Sequence, residues 1–514
     1  WFAATALRAW LTVANVVDLT TESPVVSREN SPEIPPFMLR TYSSVTDWGR
    51  DFRRHRNSTE ILCVMSSVEA GAQVLFDIFL GFQSGNRHRG STENVQFTHR
   101  NTHLGRREPW FPEFNDLHSR KLEWQCGRSP GPGVRKSVMS ALMDICFAHP
   151  LLFVKNGNFF TLRLRHSNLS EHLQQILHAC GSACRMFIIT ELALPPQLSP
   201  SLAYKMLTND HHNAFMNDLP LLNKLDAERA ESMDAFPGTL DGYKERIHAG
   251  GVAAQTLSMF TTDLEDLTPA QFVRACESEP GYFEQSLKRF RNLQLFGHAE
   301  NPNLSPAYRA FQSTFNADNF GQTMGRVDRL LPLMLALRMD NPNQLLDLIS
   351  PTNANAHGDQ DPEFMRLRDL FMERFARYLR KPGLINHPLF NDTHMNEFER
   401  EIDPESTTAR AVMFLRYATG HPFLPREPIQ IQFFASFSGP AVPLVDLPAP
   451  AEGWLDRICA ARAHVCFDAV DVDLSLVGPF LQDTPEDDVD TDFDVLQYVT
   501  YRPVTRFSEF GGIA

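Results

Sequence analysis

The chain has 514 residues, 43% of them hydrophobic and 21% charged, enough for two or three domains at roughly 100–200 residues each. Its 48 Lys and Arg against 62 Asp and Glu leave a net charge of −14, which disfavours a nucleic-acid surface as the main working face and points to a protein partner or a small substrate. The eight cysteines are scattered and form no C-x-x-C pair, so neither a disulfide framework nor a zinc ribbon is indicated and a reducing compartment is expected.

No apolar run reaches the roughly 20 residues of a membrane span. The opening WFAATALRAWLTVANVV reads as an amphipathic helix. Trp1 in place of Met, with no basic segment behind it, argues against a signal peptide and for sequence missing upstream. Residues 22–36 carry four prolines among Ser, Glu and Asn, a linker composition. Gly85 to Arg107 is polar and reads as a loop, and the arginines of the first hundred residues read as a solvated face. Residues 1–94 receive no assigned role.

From Leu122 to Leu202 helical and strand-like runs alternate, and residues 220–350 read as largely helical, followed by the connection PTNANAHGDQDP at 351–362. Cys180 and Cys184 would share a helix face and read as two core residues rather than metal ligands. The clearest element comes next. Asp361 can cap it, Pro362 suits its first position, and Phe364, Leu367, Leu370, Phe371, Phe375, Tyr378 and Leu379 recur at helical spacing. It stops at Lys381-Pro382-Gly383, where Pro382 and Gly383 suggest a flexible joint.

Beyond the joint, MFLRYATG (413–420) ends a helix, PIQIQFFASFSG (428–439) alternates with period two like a strand, and a short helix is expected from Trp454 to Ala461. DTPEDDVDTDFD (483–494) lacks the central Gly and closing Glu of a calcium loop and reads as a solvated acidic loop. GRSPGPGVRKS (127–137) puts Arg135 where a phosphate-binding loop needs Gly, so nucleotide binding is rejected.

The candidate chemistry lies in AHVCFDAVDV (463–472). As one strand, it would bury Ala463, Val465 and Phe467 and present His464, Cys466 and Asp468 on the other face, with Asp471 nearby. A thiol exposed among polar neighbours suits a nucleophile, because the reactive species is the thiolate.

HVCFDAVDV resembles the catalytic run H-T-C-F-N-x-L-D-L of HECT ubiquitin ligases, matching His464, Cys466, Phe467 and Asp471, with Asp468 in the Asn place and Val465 in the Thr place. FLRYATGHPFLP (414–425) is similar to the family's F-L-Q-F-V-T-G-T-S-R-V-P, sharing Phe414, Leu415, Thr419, Gly420 and Pro425, with Phe423 at the basic position. Residues 177–207 resemble a helix-rich segment of the larger lobe, with Gly181 and Ala183 suited to close packing. GPGVRKSVMSAL (131–142) stands at a Gly-Gly-Val-x-Arg-Glu run, with Lys136 and Ser137 at the acidic and aromatic positions.

The resemblance spans roughly residues 95–514 and implies an α+β, two-lobed HECT-like fold. It implies a large, mostly helical N-lobe over 95–380 that docks a conjugating enzyme, a hinge at 381–383, and a smaller α/β C-lobe over 384–514. It further implies Cys466 as the thioester-forming nucleophile, with His464, Phe467, Asp471, Thr419 and Phe510 in support. The implied partners are ubiquitin, a ubiquitin-conjugating enzyme and a protein substrate, in the cytoplasm or nucleus. No cofactor, metal or membrane is implied. A HECT-derived scaffold that has lost transfer is the alternative.

Overall fold

The computed structural model describes residues 42–54, 57–83, 95–101, 106–110, 117–118, 120–127, 129–130, 132–156, 159–164, 169–209, 214–234, 236–335, 338–354, 361–387, 405–425, 427–435, 461–464, 468–481 and 489–501. The opening helix, the proline-rich linker, residues 454–460 of the expected short helix, and residues 465–467 and 502–514 lie outside them; Ala461, the last residue of that expected helix, instead begins a strand (Ala461–His464). The architecture is α+β.

The first region contains α1 (Val45–Arg54), β1 (Asn57–Met65), α2 (Val68–Gln83), β2 (Val95–Asn101), β3 (Arg106–Pro109), β4 (Arg120–Cys126), β5 (Ser129–Pro130), α3 (Pro132–Phe147), β6 (Phe153–Asn156), β7 (Phe159–Leu162), α4 (Glu171–Glu191) and α5 (Pro200–Thr208). Five strands form one sheet in the order β3-β2-β1-β4-β5, with β1 antiparallel to β2 and parallel to β4. Ile61, Cys63 and Met65 alternate inward along β1 and are buried, as the period of two in a strand demands. Val95 and Phe97 of β2 join them.

This corrects two expectations. The polar stretch at 85–107 contains β2 and β3, whose apolar residues are too few to stand out between polar neighbours. A boundary at residue 95 also fails, because β1, upstream of it, is the central strand on which β2 and β4 pair.

The middle of this large core is α4. Ser170 caps its start by accepting the Leu173 N–H, and Ile176 to Ile189 is almost wholly buried. At Gly181 it meets α12 (Pro306–Phe315) so closely that an added Cβ would lie 2.4 Å from the Phe311 carbonyl oxygen and from Thr314 Oγ1. Cys180 and Cys184 are buried on this helix, the first directed to the Cys146 carbonyl and the second to Met143 Sδ.

Between α5 and α12 run α6 (Leu219–Leu225), α7 (Ala227–Asp234), α8 (Leu240–Ala249), α9 (Gly251–Glu265), α10 (Pro269–Ser278) and α11 (Tyr282–Phe296). Phe236, Tyr243, Leu257, Phe272, Phe283, Leu287 and Phe290 make a separate, aromatic-rich cluster there. After α12, α13 (Val327–Leu335) returns to the large core.

The second region comprises α14 (Pro342–Leu346), β8 (Ile349–Asn353), α15 (Pro362–Arg380), α16 (Ala409–Thr419), β9 (Ile429–Phe434), β10 (Ala461–His464), β11 (Ala469–Asp473), α17 (Leu474–Val477) and α18 (Asp492–Tyr501). Its sheet has the order β10-β11-β9-β8, with β9 parallel to both neighbours. β8 takes up part of the expected 351–362 connection, and its Pro351 is tolerated because the strand is at the sheet edge.

The expected helix is present as α15, with the Asp361 carboxylate accepting the Glu363 N–H at 2.9 Å. Phe364, Leu367, Phe371, Phe375, Tyr378 and Leu379 are buried in the second core, where Phe371 meets Phe433 of β9 at 5.3 Å. α15 therefore belongs with the elements that follow it. The change of core falls between Leu335 and Leu345, not at 381–383.

Pro382 and Gly383 therefore lie within the second core and not between the two cores. They do end α15, and Gly383 takes a left-handed φ of 59°, but the segment is bound into the second core. Its N–H donates to the Ser406 carbonyl at 2.9 Å, and Arg410 donates to the carbonyls of Gly383 and Leu384. Asp490 and Asp494, expected in a solvated acidic loop, are also buried. Asp490 binds Arg410, Lys381 and the Asn386 N–H, while Asp494 accepts from Lys381 and caps α18 through Thr491.

Candidate functional site

Cys466 and Phe467 lie among residues 465–467 and Phe510 among 502–514, outside the described residues; the described residues on either side of Cys466 in the chain are His464 and Asp468. The single strand expected over 463–472 is instead two antiparallel strands, β10 and β11, with His464 opposite Ala469. Asp468 makes the entry to β11 with a left-handed φ of 48°, a conformation Asp tolerates better than most side chains, so His464 and Asp468 do not continue one strand face. Val470 and Val472 of β11 point into the core and are buried.

His464 and Asp471 share a face of the hairpin, and His464 Nε2 lies 2.7 Å from Asp471 Oδ2. The imidazole is half exposed and the carboxylate mostly covered, so Asp471 fixes the ring's orientation from the protected side. This pairing joins two of the supporting residues expected from sequence.

Thr419 is fully buried at the end of α16. Its hydroxyl donates within the helix to the Leu415 carbonyl at 2.8 Å and sits 3.1 Å from the His421 carbonyl, so it ties off the turn after the helix. Gly420 closes the helix with φ 79° and an N–H bonded to Arg416 O.

The turn 420–425 reaches the large core. Phe423 is buried there, 5.8 Å from Phe187 of α4, and forms an isolated antiparallel bridge with Arg338. Its N–H donates to His421 Nδ1 at 3.2 Å. Burial of the ring, then the positive charges of Lys136 and Arg135, push His421 down to about 3, and as an acceptor it is neutral.

Lys136 completes the meeting of the two cores. From α3 its Nζ donates to Asp468 Oδ1 at 2.8 Å, with both side chains largely shielded from water. Asp468 is held from its other end as well, since its carbonyl accepts the Gln430 N–H of β9 at 3.1 Å. The neighbouring Arg135 binds Glu191 of α4 at 3.0 Å, keeping that edge of α3 fixed. Lys136, Phe423 and Asp468, three positions at which the sequence departs from the motifs it resembles, thus lie together.

Sequence reasoning passed over Arg338. It occupies the stretch between the cores, where its Nη2 donates to the carbonyls of Pro195 and Leu198 and its guanidinium stacks over Phe159 at 4.3 Å. Burial lowers it to about 9, against the opposing pull of Asp226 and Asp340. Its signal was an arginine following the apolar run LLPLMLAL.

No helix among the described residues is long and apolar enough to cross a membrane. No protein-family model matches this chain, and no curated protein matches it.

Proposed function

We propose that the chain is a HECT-type ubiquitin-protein ligase, its large region the N-lobe and its second region the C-lobe, with Cys466 as the ubiquitin-carrying nucleophile. The observation that carries the reading is the pair of motif blocks, 414–425 and 464–472, lying in the family's order around an alternating strand. Further support comes from β9, β10 and β11 forming one small sheet beside α16 and from its abutment on α3 and α4 through Phe423 and Asp468.

The Cys466 thiolate attacks the thioester carbonyl of a charged conjugating enzyme. A new carbon–sulfur bond forms at Cys466, and the conjugating enzyme's cysteine leaves as thiolate. A substrate lysine amine, deprotonated on attack, then forms the amide and releases the Cys466 thiol. Thioester exchange is nearly balanced in energy, so placement of the thiol counts for more than activation. His464, oriented by Asp471, lies two residues away in the chain and serves as a local hydrogen-bonding group.

The second reading is a scaffold without transfer activity, favoured by the charge and size changes at Lys136, Phe423 and Asp468. One assay separates the two. The chain is mixed with ubiquitin, activating enzyme and a panel of conjugating enzymes and run on a non-reducing gel. A thiol-sensitive adduct that Cys466→Ala removes, and that changes at the other cysteines leave in place, is expected for the ligase. Ubiquitin binding without an adduct across the panel selects the scaffold.

A further inference from the structure

We infer that Lys136 is a positioning residue for the proposed transfer, acting through Asp468 to hold the β10–β11 hairpin at one place on the large core. The inference rests on the ligase reading, because it concerns where the second region delivers Cys466, two residues before Asp468 in the chain.

Asp468 is fixed at both ends. Its carbonyl is bonded to Gln430 of β9 and its carboxylate to Lys136, which lies 332 residues away in the other core. The backbone at Asp468 is left-handed, with a φ of 48°, a conformation that Asp tolerates better than most residues.

The contact is also directional. Phe423 supplies an apolar plug against Phe187, a contact that alone leaves rotation about the plug open. The ion pair adds a contact on a different element, away from the Phe423–Phe187 contact and the Phe423–Arg338 bridge, and so restricts a rotation that contacts at Phe423 leave open. His421, standing between these contacts and neutral, places no positive charge against Lys136.

Each side chain of the pair retains only 14% and 20% of its exposure. Shielding of that degree strengthens the attraction relative to a surface pair and raises the penalty of leaving either partner alone. Lys136 carries a cation where the resembled motif has an acid, and Asp468 an anion where it has an amide. The two changes are complementary, and a reversal of both should preserve what either reversal destroys.

The test uses the full chain with Lys136→Glu, Asp468→Lys and the double reversal, plus Asp468→Asn as a milder variant. Thioester loading on Cys466 and discharge to free lysine are followed as separate single-turnover rates, and hydrogen exchange of the segments around Phe423 and Gln430 is measured alongside. Each single reversal is expected to slow one of the two rates about 10-fold, to raise exchange at both segments, and to be restored by the double reversal; Asp468→Asn should fall between. Single variants that transfer at the unmodified rate overturn the inference, whether or not exchange changes, as does a double reversal no better than the singles. Failure of the unmodified chain to load ubiquitin overturns the ligase reading itself and is seen before any variant is made.

Discussion

Arg410 and Asp490 form a two-point ion pair inside the second core, Nη1 to Oδ1 at 2.7 Å and Nη2 to Oδ2 at 2.8 Å, with almost none of either side chain exposed. The pair sits beside the Pro382–Gly383 turn, since Arg410 also donates to the carbonyls of Gly383 and Leu384. Burial raises the Asp490 carboxyl, but the hydrogen bonds and charge of Arg410, the Asn386 N–H and Lys381 outweigh it and hold the group below its ordinary value.

Replacing Asp490 with Ala leaves the buried Arg410 cation without its carboxylate partner, for which a loss of about 3–5 kcal/mol is expected. Gly383→Ala should cost roughly 1–2 kcal/mol through its left-handed backbone. Urea unfolding of both variants checks these values. Losses below about 0.5 kcal/mol, ordinary for an exposed flexible joint, would restore the hinge at this turn.

Gly181→Ala places a methyl group against the Phe311 carbonyl and Thr314, where backbone stands in the way. The helices α4 and α12 must separate, and overpacking of this kind costs about 1–3 kcal/mol. Neighbouring Ala183 and the other small residues of α4 provide comparison sites. A thermal midpoint unchanged by the substitution would refute this close approach of α4 and α12.

His421 gives a pH dependence. The folded chain keeps it neutral down to about 3, whereas an unfolded chain takes up the proton near 6.5. Stability contributed by this group is therefore complete above about 6.5 and declines as pH falls toward 3, by at most about 1.4 kcal/mol per unit. Protonation also removes the acceptor used by the Phe423 N–H. Denaturant midpoints compared from about pH 7 to about pH 5.5 should fall less steeply in His421→Gln than in the unmodified chain. Parallel profiles would refute the assignment.

Burial raises the Cys63, Cys146 and Cys184 thiols well above their ordinary range, and Cys276 is pushed up to about 11 by burial and nearby Glu265 and Glu284. Since the thiolate is the reactive form, these four should alkylate at least about 10-fold more slowly in the native chain than after unfolding. Mass-spectrometric mapping of iodoacetamide adducts measures this. A ligase additionally requires native labelling at Cys466.

The sequence by itself determined the elements whose information is local. Asp361-Pro362 and the apolar stripe through Tyr378 specify α15, and Ile429, Ile431 and Phe433 specify β9, because capping and periodicity act within one segment. It also put Thr419 and His464 in recognisable motifs. Tertiary structure decided what those segments join. Pro382-Gly383 looked like a joint because helix-stopping chemistry is local, while the Arg410 and Asp490 that bind the turn lie 27 or more residues away. The segment 463–472 looked like one strand because Ala463, Val465 and Phe467 alternate with polar residues, but the apolar phase slips at Ala469-Val470, and the pairing of His464 with Ala469 reveals two strands. The meeting of Lys136 with Asp468 has no local signature at all, since an ion pair across 332 residues exists only once both cores have folded and brought the charges together.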